Sequence, residues 1–316
     1  MSHKQKKQNL NQDPSIDMTH DMTQDGIEEI PKMIPPVHHD PEKHVHRWLI
    51  GLSVAFVLLM LVLPLCMVIF NSLKDGLAVY WDAITARYTL SALRVTIIAT
   101  VIAVLVNTFF GLVAAWLLTK YDFRGRHVLS TLIDIPFSIS PVIAGLAFIM
   151  TFGRMGWAAP AIDWLNNLLG TDISLVFSVP GVVLATIFVT FPFVSRELIP
   201  VLHAQGRDEE EAAALMGAGG FRIFRKITFP HIRWALLYGV ILCTARALGE
   251  FGAVYALSKT RGRTFTLPLE VDALYMSGSA EGLTQAFAVS SILVLLAVVV
   301  LILRSIVEYR GKKSGI

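Results

Sequence analysis

Six stretches of this chain are apolar for long enough to cross a bilayer. About 20 apolar residues, rising 1.5 Å each, span the hydrocarbon core as an α-helix. The stretches fall at 48–70, 90–118, 130–152, 179–199, 234–258 and 283–303. In lipid every backbone N–H and C=O must be satisfied within the segment, so each is expected to be a helix. The prolines inside them, Pro64, Pro136, Pro141 and Pro192, are tolerated where neighbouring helices re-satisfy the freed carbonyls. Composition agrees, since 54% of the 316 residues are hydrophobic and only 16% charged, whereas soluble domains carry about 25% charge. This excludes an ordinary cytoplasmic enzyme, an extended disordered protein and a disulfide scaffold. The expected fold is an all-α integral membrane protein with six transmembrane helices.

Residues 1–47 are different in kind. They lack apolar periodicity and contain Pro14, Pro31, Pro35, Pro36 and Pro41, which predicts a disordered tail. His38, His39, His44 and His46 cluster there beside Asp40 and Glu42. Such groups can ligate metals, but a tail without fixed geometry offers no preformed site, and none is expected. No signal peptide is expected either, because the first apolar run is too long for an h-region. The membrane body covers 48–303, and 304–316 forms a short C-terminal tail. Cys66 and Cys243 lie inside apolar runs and read as small buried hydrophobes rather than a disulfide.

Lys and Arg concentrate on the cytoplasmic side of membrane proteins. With the tail placed there, nineteen fall in the tail, in the loops after the second and fourth spans, and at the C-terminal end. Six fall in the opposite loops: Lys74, Arg87, Arg154, Lys259, Arg261 and Arg263. Both termini are therefore expected in the cytoplasm. Within the spans, Arg94 reads as an anchor snorkelling to the interface, and Asp134 as a helix-start residue.

The longest polar stretch of the body, 200–233, joins the fourth and fifth spans. Asp208, Glu209, Glu210 and Glu211 followed by Ala212, Ala213, Ala214, Leu215 and Met216 predict a short helix, with acids in the first turn where they complement the macrodipole. Gly217, Gly219 and Gly220 then end it. Over 221–229, Phe221, Phe224, Ile227 and Phe229 can share an apolar face, with Arg222, Arg225 and Lys226 opposite. By itself this describes an amphipathic connector lying on a membrane surface.

The spacing carries more. Glu211-Ala212-Ala213, Gly217 after three further residues, and Ile227-Thr228-Phe229-Pro230 after nine more resemble the EAA loop of ABC-importer permeases. Phe229 departs from the Leu of that pattern. Ala245-Arg246-Ala247-Leu248-Gly249-Glu250-Phe251-Gly252-Ala253-Val254, with Thr260 to Thr264 and Leu267-Pro268-Leu269 beyond it, is similar to the sulfate and molybdate branch of that family. So are Pro141 to Ala147 and Phe191 to Pro200. The resemblance covers 48–303 and implies a type I ABC-importer permease of the bacterial inner membrane. It implies translocation of sulfate or thiosulfate, with molybdate or tungstate as alternative, by a non-catalytic subunit. Glu211, Ala212, Ala213, Gly217, Ile227 and Pro230 would be its ATPase-coupling residues. The implied partners are a second permease chain of the CysT kind, two ATPase subunits that bind ATP and Mg, and an extracytoplasmic binding protein. No cofactor in this chain and no nucleic-acid partner are implied.

Arg246 and Glu250 lie four residues apart in the fifth span, hence on one helical face. Ionisable residues at membrane depth are costly and mark candidate sites. They either help pass a divalent oxyanion or form an internal ion pair holding the helix in the bundle. The chain contains no Gly-x-x-x-x-Gly-Lys-Ser/Thr, His-Glu-x-x-His or Gly-x-Ser-x-Gly motif, so no nucleotide cradle, zinc protease or hydrolase elbow is expected. A secondary transporter would need matching broken halves, and a channel a filter-like repeat or charged ring. Neither pattern is visible. The Lys/Arg count makes a direct prediction: a topology reporter fused after Ile316 is active on the cytoplasmic side, and activity on the opposite side alone would overturn the assigned orientation.

Overall fold

The computed structural model describes residues 42–172 and 174–313; the rest of the tail, and the side chains of its histidine cluster, lie outside the described residues. The chain divides into two units, 1–54 and 55–316. In the first, residues 42–54 belong to helix α1 (Glu42–Val57), so helix begins before the tail boundary expected at residue 47. A π-helical turn, Leu58–Val62, leads into α2 (Leu63–Leu73). Short α3 (Leu77–Thr85) and long α4 (Arg87–Lys120) follow. No β-strand occurs among the described residues.

Among the described residues, five helical segments are long and apolar enough to cross a membrane: Arg47–Leu73, Arg87–Lys120, Val179–Gln205, Gly220–Leu248 and Ala280–Gly311. A sixth crossing arises only if α5 (Arg126–Ser138) and α6 (Pro141–Phe152) are one broken span, and the two are bent by 110°. The single third helix expected at 130–152 is therefore corrected to a helix pair. The proline positions explain it. Pro136 sits within α5 and is accommodated, but Pro141 forces its predecessor out of the α region, and Ser140 is extended at φ −57°, ψ 131°. Pro192 instead opens α9 (Pro192–Gln205) directly after α8 (Val179–Thr190), where a missing N–H costs little.

The fifth span also differs from its expected bounds. It starts at Gly220 and ends in α12 (Phe229–Leu248), with α13 (Gly252–Leu257) following a break at 249–251. At the other end of the chain, α14 (Leu267–Tyr275) precedes α15 (Ala280–Lys313). Residues 304–313, read as tail, thus continue the last helix, because nothing in Arg304 to Arg310 breaks it. Between α6 and α8 lies the short α7 (Ala159–Leu169).

Packing centres on α4. Its buried positions are mostly small, and among them Ala92, Thr96, Ala99, Ala103, Asn107, Gly111, Ala115 and Leu118 form a ridge with steps of three or four residues. Without a hydrophobic drive between helices in lipid, small residues that admit close backbones do the work. A Cβ on Gly111 would stand 3.0 Å from Val194 Cβ, which shows how closely α9 approaches. Asn107, wholly buried, donates from Nδ2 to Thr190 Oγ1 at 2.8 Å and to Ile187 O at 3.1 Å, pinning α8 to α4. Ala115, Val194, Leu198, Leu202, Ile232 and Cys243 complete one apolar cluster among α4, α9 and α12. Cys243 is buried as expected, but Cys66 is exposed. That expectation is corrected because Cys66 lies on a span whose most apolar window has no buried residue.

The broken helices meet each other. A Cβ on Gly145 would lie 2.6 Å from Ala253 O and 2.9 Å from Ala256 Cβ, so α6 and α13 touch backbone to backbone. Gly145→Leu is therefore expected to cost about 1–3 kcal/mol through overpacking, read as a lower melting temperature of the purified protein. Gly51→Leu, whose Cβ meets nothing within 4 Å, serves as the control and leaves it unchanged.

Candidate functional site: the hinged helix between the fourth and fifth spans

The segment expected as a loop over 200–233 is shorter than its polar composition suggests. Helix α9 runs to Gln205 and the next membrane helix begins at Gly220. Only 206–219 projects, and it holds α10 (Asp208–Leu215) with Asp208, Glu209, Glu210 and Glu211 in its first turn. Glycines with positive φ flank it, Gly206 at +69° and Gly217 at +82°. At the C-terminal end Gly217 N donates to Ala214 O at 2.9 Å and Ala218 N to Ala213 O at 3.0 Å. This paired return is a Schellman turn, which satisfies the last carbonyls and needs a left-handed residue at that point. A Cβ on Gly217 would meet nothing within 4 Å, so the glycine serves the backbone angle and leaves an open surface.

The faces of α10 divide cleanly. Ala213 is its one buried residue. Glu210 turns inward: its Oε1 accepts from Thr228 Oγ1 at 2.6 Å and stands 3.0 Å from Lys120 Nζ. Lys120 also donates to Gly206 O at 2.5 Å. Glu209 approaches His231 Nε2 at 3.3 Å. Nearby, Asp122 bridges Arg126 at 2.9 Å and Arg207 at 3.6 Å. Glu211 and Ala212 face outward with Leu215 (90% exposed) and Met216 (82%), and Phe221 (78%) stands beyond the turn. An acidic, apolar-edged patch that no described residue covers results.

Behind the turn, α11 (Gly220–Ile223) and a π-helical turn, Phe224–Thr228, lead into α12. Pro230 falls in the first turn of α12. A proline lacks an N–H and crowds the carbonyl four residues back, and the wider π turn lets the helix pass it unbroken. The apolar face expected for Phe221, Phe224, Ile227 and Phe229 is only partly formed. Phe224 packs edge-on against Trp116 at 6.2 Å and tilts toward Phe229, and Ile227 is half-buried, whereas Phe221 is exposed. The extra residue of the π turn shifts the register between Phe221 and the rest.

Arg246 and Glu250 are brought together, with Nη1 to Oε2 at 2.6 Å. They do not share one helix, however. Arg246 lies in the last turn of α12, while Glu250 lies past its end, and its Oε1 accepts from Ala253 N at 2.9 Å to cap α13. Glu250 is 1% exposed, and Oε2 makes the ionic contact without an aligned hydrogen bond. The pair braces the helix break. Asp134, read as a helix-start residue, is corrected: it is the ninth residue of α5 and pairs with Arg196 Nε at 2.9 Å. No cluster of metal-ligating side chains occurs among the described residues.

Sequence reasoning missed the inward role of Glu210 and its partners Lys120 and Thr228. The only local signal was Glu210 itself, which stands beside the Glu-Ala-Ala string but outside it. The charge network of Asp122, Arg126 and Arg207 was likewise invisible without the fold.

A protein of Synechocystis called sulfate transport system permease protein CysW is 44% identical over 263 residues, covering 83% of this chain and 92% of that protein. The protein of the same name from Escherichia coli K12 is 42% identical over 266 residues, covering 84% and 88%. A bacterial ABC transporter involved in import of the acidic polysaccharide alginate shares the fold, with a TM-score of 0.69 at 16% identity over 86% of this chain and 98% of that one. Residues 107–313 match the family described as binding-protein-dependent transport system inner membrane component. By that match and by these relatives, the chain belongs to the inner-membrane permease family of ABC importers.

Proposed function

We propose that this chain is the permease subunit of an ATP-driven sulfate importer, passing the anion through the membrane by alternating access while a separate ATPase supplies the energy. The observation that carries the coupling is the uncovered face of α10, where Glu211, Ala212, Leu215 and Met216 stand outward beside a glycine turn. Four acids in the first turn cannot lie in hydrocarbon, yet Leu215 and Met216 project almost fully. A protein groove suits both. Substrate identity rests on the CysW relatives, whose names specify sulfate.

In this reading both termini and α10 are cytoplasmic, Ile227 and Pro230 fix the base of the coupling segment, and ATP and Mg bind to the partner ATPase. A second permease chain completes the pathway; the CysT protein of Escherichia coli K12, 38% identical over 205 residues, occurs in the same organism as the CysW relative and supports this. An extracytoplasmic binding protein delivers the anion, as the alginate transporter was seen with a periplasmic protein carrying its pentasaccharide. Selectivity between sulfate and thiosulfate would then reside largely in that delivery protein.

Two experiments test the reading. Gly217→Asp places a side chain at φ +82°, a conformation costing an L-residue about 1–2 kcal/mol, and adds charge to the open face. Normal abundance in the membrane, weak co-purification of the ATPase and near-zero uptake are expected; retained ATPase with continued uptake would show that α10 is not the coupling element. Separately, labelled sulfate uptake is expected to vanish when the chain is paired with an ATPase-deficient partner. Continued uptake there would indicate a secondary carrier.

A further inference from the structure

We propose that Lys120, Glu210 and Thr228 form a positioning lock, fastening the coupling helix α10 to the ends of α4 and α12 at once so that its displacement reaches both. The inference rests on the coupling role proposed for α10. One carboxylate oxygen, Glu210 Oε1, holds both partners: Thr228 Oγ1 at 2.6 Å and Lys120 Nζ at 3.0 Å. The site is largely enclosed, with the Lys120 side chain 6% exposed, that of Glu210 17%, and Thr228 buried. A lysine so enclosed strongly disfavours losing its counter-charge.

The rest of α10 is loosely held. Glycines at positive φ stand on both sides, and Ala213 alone is buried. Glu209 meets His231 with both side chains largely in solvent, where such contacts contribute little. Lys120 additionally holds the Gly206 carbonyl at 2.5 Å, so one ammonium secures the hinge and the helix beyond it.

The anchors determine where a displacement goes. Lys120 is the last residue of α4, a 34-residue helix about 51 Å long. The far part of α4 is tied in turn: Ser91 Oγ donates to Gly262 O at 2.6 Å, and Thr96 Oγ1 accepts from Leu267 N at 2.8 Å. Arg261 in that distant loop grips buried Glu270 through Nε at 3.0 Å. Thr228 closes the π-helical turn at the foot of α12, whose other end carries Arg246. The lock therefore joins α10 to two rods, one of which ends at the loop on the opposite side of the bundle.

The test uses the whole importer, with its ATPase, partner permease and binding protein, in proteoliposomes. Lys120→Met, Glu210→Gln and the double variant are compared for ATPase retention, uptake per ATP hydrolysed, and hydrogen exchange of the α10 amides. The ATPase stays bound in all three, exchange of α10 rises, and uptake per ATP falls about fivefold in each single variant and no further in the double, since members of one contact are non-additive. Thr228→Val behaves as the singles do, and Thr228→Ser, which keeps the hydroxyl, behaves as the native protein. Unchanged exchange and uptake in the singles would overturn the lock, as would a double-variant loss near 25-fold, the product of independent effects. If the native assembly moved no sulfate, the transport reading would fail on its own, and the exchange data alone would decide the lock.

Discussion

The architecture depends on the close approach that the small-residue ridge of α4 permits. Ala92, Thr96, Ala99, Ala103, Asn107, Gly111, Ala115 and Leu118 form a buried ridge with steps of three or four, and α8, α9 and α12 all lie against α4. In lipid, apolar area gives no net drive for helices to associate, so contact distance and buried polar bonds decide the packing. Asn107 adds the polar component at the middle of the ridge. Much of the remaining apolar surface, on residues 47–73 for example, is exposed, as expected of surface that meets lipid tails or another membrane chain.

Given that central rod, the breaks elsewhere become affordable. Helix ends inside a bilayer leave carbonyls and amides without partners, and the break before α13 is repaired locally. Glu250 caps α13 while Arg246 neutralises it. At the start of α6, Pro141 has no N–H to leave unsatisfied, and Ala144 N donates to Ser140 O at 3.0 Å as the first helical bond. The backbones of α6 and α13 then lie so near each other, at Gly145 and Gly252, that neither break could be lengthened into a continuous helix without separating the pair.

The sequence located the spans where apolar length alone decides, as for α4 and α15, but not where geometry does. Pro136 and Pro141 look alike in a hydropathy reading, yet one is absorbed in α5 and the other ends it. The residue before Pro136 stays helical, whereas Ser140 before Pro141 is extended, and the break falls there. The family pattern marked Glu211 and Gly217 directly, because spacing within one segment is local information. Lys120 lies 90 residues from Glu210 in the chain, and no local rule connects them. Orientation of the termini was argued from charge counts, which no contact within the chain addresses.

The acidic run at 208–211 shows how one composition serves two purposes. Consecutive residues on a helix point about 100° apart, so four adjacent acids cannot share a face. Glu210 therefore turns inward to a buried cation and a hydroxyl, while Glu211 stays in solvent and makes no ion pair among the described residues. Their mutual repulsion is offset by the positive end of the α10 dipole and by the neighbouring Lys120. The same run thus anchors the helix from one side and leaves charge displayed on the other. A partner that met Glu211 would press on a helix already held by Glu210, and a rigid hold is what allows such a push to be felt beyond α10 itself.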